Sequence, residues 1–470
     1  MMLLEKLENS KLCKRIEKFF SSDFYFLTLI LCMIIPFAFK KYFVGLWIIS
    51  IIGCFALVFS KNLMPFFAAF LFASMSVFEM HRASYQEIFS AIYIAIPLVI
   101  SFVFHLIAYP IKKYKPSKTF FCQLAVSVAI TIAGIGATNA KEYFAISTVY
   151  FTLFLGFGLL GILVLLDVYT YDTSEYDVSV YFSKTMFFIG LTIILMWLCA
   201  IFQDLPSMGN EFKFPYRQWK NNVGNFMLIS IPCTLYYGTQ KKRSWMYFIL
   251  AAIQFLAVVM SLSRGSMIMA IALAPFEIIL FFIAIKNKTQ RIINLSILGV
   301  ILTIAIVSLF VNDMYVLKFI EKSLHISEGE ARWKLFKTGI DNFRRYPIFG
   351  IGLGYQNHDV HHLNDMSIFW YHSTPIQIVA SMGIIGVICY AYQFFVRMII
   401  LLKRNYFNLF MLIAFLGFEG YSCVNTGDFS PIPFAALIVM MFVVCEKYNF
   451  NKSVCDDANL KQKTNNIIES

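Results

Sequence analysis

Residues 291–311 read RIINLSILGVILTIAIVSLFV, twenty-one positions whose only charge, Arg291, stands first. Each residue of a helix advances the chain by about 1.5 Å, so a stretch of this length crosses the roughly 30 Å hydrocarbon layer of a bilayer. A helix is also the one open element that satisfies its own backbone N–H and C=O groups in lipid. Thirteen more apolar runs flank it, at 24–39, 42–59, 63–78, 86–109, 119–138, 143–166, 181–202, 222–238, 245–260, 264–285, 373–400, 406–424 and 430–446. The expected fold class is therefore all-α, a polytopic membrane protein with about fourteen (12 to 14) transmembrane helices.

Composition agrees. Apolar residues make up 59% of the chain and charged residues only 14%, against roughly 25% charged in soluble domains, which excludes a soluble enzyme. The 51 phenylalanines exclude a disordered chain. The net charge of +12 would point to nucleic acid in a soluble protein; in a membrane protein it orients helices. Alternation from an inside N-terminus puts 22 Lys and Arg in inside segments and 8 in short outside ones, so both termini are expected in the cytoplasm. One inside segment, 167–180, runs against this with Asp167, Asp172, Glu175 and Asp177. Cys32, Cys54, Cys122, Cys199, Cys233, Cys389 and Cys445 all lie in apolar runs and read as small buried hydrophobes rather than a disulfide framework. The first twenty residues form a basic amphipathic lead-in without an A-x-A cleavage signal, so the N-terminus is expected to stay on.

Two outside segments are long: 203–221, polar and aromatic, and 312–371, a large extracytoplasmic loop where function should concentrate. The expected organisation is an N-terminal bundle over 1–202, a catalytic region over 203–446 that includes the loop, and a cytoplasmic polar tail over 447–470. Within the loop, Ser327 and Glu330 have capping-box spacing. Trp333, Phe336, Ile340 and Phe343 then recur at helical intervals opposite Lys334, Lys337 and Arg344, which predicts an amphipathic helix on the outer membrane surface. Pro347 ends it. The run Gly350-Ile351-Gly352-Leu353-Gly354 follows without a βαβ context, so a close-packed, flexible turn is favoured over phosphate cradling.

Four positions draw attention for chemistry. Arg264, in Ser263-Arg264-Gly265, stands at the outer mouth of a span, where the alternatives are an anion site and a side chain snorkelling to the interface. Arg217, with Tyr216 and Trp219, has the same two readings at the mouth of another span; two arginines on one face would form a fork for a diphosphate. Glu419, within an apolar run, reads as an ion-pair brace for an arginine. His372 directly precedes a span and can face water and bilayer together; as a neutral imidazole it accepts a proton, its alternative being a plain interfacial side chain. His358, His361 and His362 resemble metal-ligand density but lack the HExxH register, and a solvated loop is favoured.

These segments resemble the O-antigen ligase and polymerase family of bacterial membrane glycosyltransferases. His372-Ser373, nine residues, then Gly383-Ile384-Ile385-Gly386 is similar to that family's His-(Asn/Ser)-x9-Gly-x-x-Gly pattern; Ser263-Arg264-Gly265 matches a second element, and Arg332-Trp333 followed by Pro347, Gly350 and Gly352 a third. The resemblance covers roughly residues 210–400. It departs in having fourteen candidate spans where the ligases usually have twelve, and Ser373 where Asn is commoner. It implies that Arg264 and Arg217 bind a lipid diphosphate, that His372 is the essential histidine, and that Arg332 occupies a substrate-binding motif position.

The implied activity is transfer of a glycan from a polyprenyl (undecaprenyl) diphosphate carrier to an acceptor sugar hydroxyl on the extracytoplasmic face of the bacterial inner membrane, as in lipopolysaccharide assembly. The arginines would neutralise the departing diphosphate and His372 would deprotonate the acceptor, giving inversion with no metal or other cofactor. Partners would be the lipid-linked donor, a glycan or lipid-glycan acceptor and the bilayer, with no nucleic acid. A repeat-unit polymerase using the same donor is the alternative within this class. A flippase or transporter is the alternative from another class, weakened because the candidate groups gather at one face rather than at the midplane of paired halves.

Overall fold

The computed structural model of the chain describes residues 11–79, 92–111, 113–137, 152–173, 175–204, 220–261, 263–311, 327–355, 370–403, 405–429 and 433–449. In chain order the helices are α1 (Lys11–Ser21), α2 (Asp23–Ala38), α3 (Tyr42–Phe59), α4 (Met64–Glu79), α5 (Ile92–Ala108), α6 (Lys118–Ile132), a π-helical turn (Thr152–Gly158) running into α7 (Leu159–Tyr169), α8 (Val178–Asp204), α9 (Lys220–Thr239), α10 (Ser244–Met260), α11 (Arg264–Ala284), α12 (Lys288–Val311), α13 (Ser327–Arg345), α14 (Thr374–Leu401) and α15 (Tyr406–Cys423). A last helix, α16, covers 433–449. Among the described residues there is no β-strand.

Each of the fourteen apolar runs contains a helix. Six helical segments are long and apolar enough to cross a bilayer by themselves: Thr152–Tyr169, Val178–Cys199, Arg264–Ala284, Lys288–Val307, Thr374–Leu401 and Tyr406–Cys423. A seventh is reached if α2 and the end of α1, bent by 66° at Ser22, count as one span. Several others are apolar but shorter, so twelve to fourteen crossings is a larger number than helix length alone supports. Part of the shortfall has a local cause. Helix α6 stops at Ile132 where its apolar run continues to 138, because Gly134 and Gly136 turn the chain with φ of 84° and 85°.

The helices sort by what surrounds them. The apolar stretch of α8 is 72% buried, packed against α2 and α9 at the centre of the bundle, while that of α12 is 6% buried. An outward helix bearing Ile292, Val300, Leu302 and Ile304 on its exposed surface requires an apolar solvent, which is lipid. The chain is thus a multi-pass membrane protein whose described residues form helices and their connections.

The acidic segment that disturbed the charge alternation is accounted for by local bonds. Asp172 accepts the Val178 amide, and Asp177 accepts the Val180 amide and the Ser179 hydroxyl, so both satisfy first-turn donors of α8. Asp167 lies 3.8 Å from Lys447 and accepts the Tyr114 hydroxyl. These carboxylates answer helix ends and a partner lysine rather than the membrane potential.

Described cysteines are free; Cys122, Cys233 and Cys445 are buried, while Cys32, Cys54, Cys199 and Cys389 are only partly so.

Candidate active site

Helix α14 is broken at Gly383, whose φ of 61° and ψ of −153° are not helical. Residues 347–352 dock across the break. The amides of Ile384 and Ile385 donate to the carbonyls of Pro347 and Ile348, and the freed carbonyls of Ala380 and Ser381 accept from the amides of Ile351 and Gly352. Two helical bonds, 384 to 380 and 385 to 381, are thus lost, and each of the four groups they free is bonded to the strap, which is what a break inside a poorly hydrated bundle demands. The fit needs glycine. A Cβ on Gly383 would lie 2.5 Å from the Ile348 oxygen, and one on Gly350 would lie 2.3 Å from the Ser381 carbonyl carbon. The predicted turn is close-packed, then, but pinned rather than loose. Helix α6 and the turn after it buttress the strap: the Gly134 amide donates to Phe349 O, and Gln393 of α14 donates to Gln123 of α6.

Helix α13 forms where the sequence predicts it. Gly339 faces Ile376 and Tyr371, and Asn342 donates to the Tyr371 hydroxyl at 2.7 Å, so the helix rests on the start of α14 while Trp333 is left 71% exposed. The helix is therefore anchored to protein along one side, with an aromatic side chain turned outward.

These contacts position His372. Its φ of 51° is left-handed, a conformation that costs a non-glycine residue about 1–3 kcal/mol and persists only where neighbours over-determine it. The neighbours are named: the Tyr371 amide donates to Gln377 Oε1, the Thr374 amide donates to the Asn425 carbonyl, and the Tyr371 side chain is buried. The Asn425 side chain and the Arg332 guanidinium both act on the imidazole. Partial burial and then Arg332 push its pKa below the ordinary histidine value, against a smaller upward pull from Asn425. A neutral ring, able to accept a proton, is favoured at neutral pH.

The turn after α15 gathers the remaining parts. Arg332 Nη1 donates to the Val424 carbonyl at 3.2 Å, where the negative end of α15 welcomes a cation. Gly265 packs so closely that a Cβ there would sit 2.7 Å from the Val424 side chain, which brings the start of α11, and with it Arg264, to the same turn. Ser263 donates to Asn221 Oδ1 and pairs with Ser266, tying the first turn of α9 to the first turn of α11. Arg264, Arg332 and His372 are thus brought to one end of the bundle. Arg217, His358, His361 and His362 lie outside the described residues.

Sequence reading missed a second layer beneath this end. Arg397 of α14 lies 3.9 Å from Glu419 of α15 and against the faces of Phe442 and Phe415, with its Nε unpaired. Glu419 is thus paired with an arginine, as its position in an apolar run implied, but with one from the facing helix. Asp428 joins them, and the group borders a cavity of about 340 Å³ between α14 and α15 that extends to Thr374. Arg397 had a signal, a lone cation inside the apolar run 373–400; Asp428, in a short turn, had none.

No curated protein matches the chain. Residues 247–391, the segment that holds Arg264, Arg332, His372 and Gly383, match the sequence family described as O-Antigen ligase. Over this region, about a third of its length, the chain is similar to the O-antigen ligase family.

Proposed function

We propose that the chain is a membrane glycosyltransferase of the O-antigen ligase type, which moves a glycan from an undecaprenyl-type polyprenyl diphosphate to an acceptor sugar hydroxyl. The observation that carries this reading is the convergence of Arg264, Arg332 and a strained, neutral-leaning His372 on the 421–425 turn. The chemistry balances with those groups. A ring nitrogen of His372 takes the acceptor's hydroxyl proton, the oxygen bonds to the anomeric carbon from the face opposite the leaving group, and the bond from that carbon to the diphosphate breaks. Configuration inverts. Arg264 and Arg217 carry the charge released on the diphosphate, which is why a divalent metal is not required. In this reading both termini are cytoplasmic, some fourteen helices cross the bacterial inner membrane, and the site faces the periplasm or exterior. Residues 203–446 do the chemistry and 1–202 support them.

The test is incubation of the purified protein with a defined polyprenyl-diphosphate glycan and candidate acceptors, with and without chelator. Release of polyprenyl diphosphate with an inverted new linkage is expected, unaffected by chelator, and reduced about 10- to 100-fold in Arg264→Lys, which keeps the charge and loses the fork. No release with any acceptor, or unchanged turnover in the variant, would overturn the assignment. Acceptor choice separates the readings: transfer to a lipid core or other envelope sugar is ligation, and transfer to a second carrier-linked repeat is polymerisation.

A further inference from the structure

The opposite end of the bundle holds a second concave surface. Helix α11 runs about 30 Å from Arg264 to Ala284, and beyond its far end the 239–244 turn, the 285–287 turn and the start of α15 enclose a cavity of about 810 Å³. Lys241, Lys242 and Lys286 line it, and among the described residues no Asp or Glu does. Three carboxylates act on the tyrosines around it and each has its own partner: Asp172 and Asp177 accept first-turn amides of α8, and Asp23 is paired with Lys184.

A chain of hydrogen bonds orders one wall. Buried Asn294 donates to Ser244 Oγ at 2.9 Å, and Ser244 donates to Gln290 Oε1 at 3.3 Å. With its oxygen so used, the Gln290 amide presents its NH2 at the cavity wall, and no described residue accepts from it. Helices α10, α12 and α15 all begin at the rim, adding the positive ends of three dipoles. Lys241 is held over the Tyr237 ring at 4.6 Å rather than by an acid. Charge bias across a membrane explains lysines in such turns. It does not explain a hollow whose described lining gathers three lysines and no carboxylate.

We infer that this cavity binds a phosphate group, carried either by an anionic phospholipid headgroup of the adjoining leaflet or by a soluble phosphorylated molecule, at a site separate from the one near Arg264. Basic pockets between helices at a membrane surface take such headgroups, each Lys strengthening the attraction. The inference does not depend on the transferase reading.

The experiment uses delipidated full-length protein in neutral detergent and follows the thermal midpoint and apparent affinity on titration with phosphatidylglycerol, phosphatidylcholine or inorganic phosphate. Phosphatidylglycerol or phosphate should raise the midpoint and phosphatidylcholine should not, with the effect falling as salt rises. A response to phosphatidylglycerol alone identifies the lipid source, and a response to phosphate as well identifies the soluble one. The combined Lys241→Gln, Lys242→Gln, Lys286→Gln variant should bind about 100-fold more weakly, whereas the three Lys→Arg changes, or Lys334→Gln with Lys337→Gln on α13, should bind as the parent does. No response to either anion, or an equal response in the glutamine variant, would overturn the proposal.

Discussion

The two ends of the bundle both collect cations, and they do so by opposite means. At the His372 end, Arg332 and Arg264 come from separate elements, Arg332 is bonded to a carbonyl, and the histidine sits in a left-handed backbone conformation locked by buried neighbours. At the other end, exposed lysines project from short turns around an open hollow. A cation on a free side chain is screened by water and salt, whereas one fixed by a hydrogen bond in a preorganised place acts on its neighbour in a set geometry. The number of positive charges is therefore a poor guide to where chemistry occurs. What distinguishes the first end is backbone strain and interlocking contacts.

If that contrast is right, the largest effect belongs to His372. His372→Asn tolerates the left-handed conformation but cannot serve as the base, and should lower kcat/KM at least 100-fold with normal membrane abundance; near-parental transfer would reduce His372 to an interfacial side chain. The next largest concerns the interlock. Gly383→Ala places a Cβ against the Ile348 oxygen at positive φ and should lower the thermal midpoint by several degrees, while Gly299→Ala on lipid-facing α12, with open space around it, should leave it unchanged or slightly raised. Equal midpoints would mean that the strap is not structurally coupled to the break.

The smallest effect sharpens the electrostatics. Transfer needs neutral His372, so activity falls as pH drops through its pKa; burial and Arg332 hold that pKa down. Arg332→Gln removes the second influence, raises the pKa and should move the acid limb of kcat/KM to higher pH, leaving the alkaline side of the profile in place. A limb that stays put, whatever the height of the plateau, would show that the two groups do not interact.

Much of the architecture is legible in the amino-acid sequence, for definite reasons. Apolar runs mark helices because lipid leaves the backbone no other partner, and α13 is legible from the spacing of Trp333, Phe336, Ile340 and Phe343. Arg264 and His372 stand out as polar groups at the mouths of such runs. The Arg397–Glu419 pair is half legible: each is a charge inside an apolar run, but their partnership depends on how α14 and α15 face each other. The acids of 167–180 mislead as a charge count, since Asp172 and Asp177 serve helix donors within a few residues.

The amino-acid order alone determined that this chain is helical and membrane-embedded and which end of each helix carries its polar residues, because hydropathy and length are properties of a single segment. Only the tertiary structure decided that Gly383 breaks α14 to receive residues 347–352, that Asn425 and Arg332 act on His372, and that three lysines from two turns face one hollow. Each of those depends on atoms far apart in the chain meeting at hydrogen-bonding or van der Waals distance, and no local pattern records such a meeting.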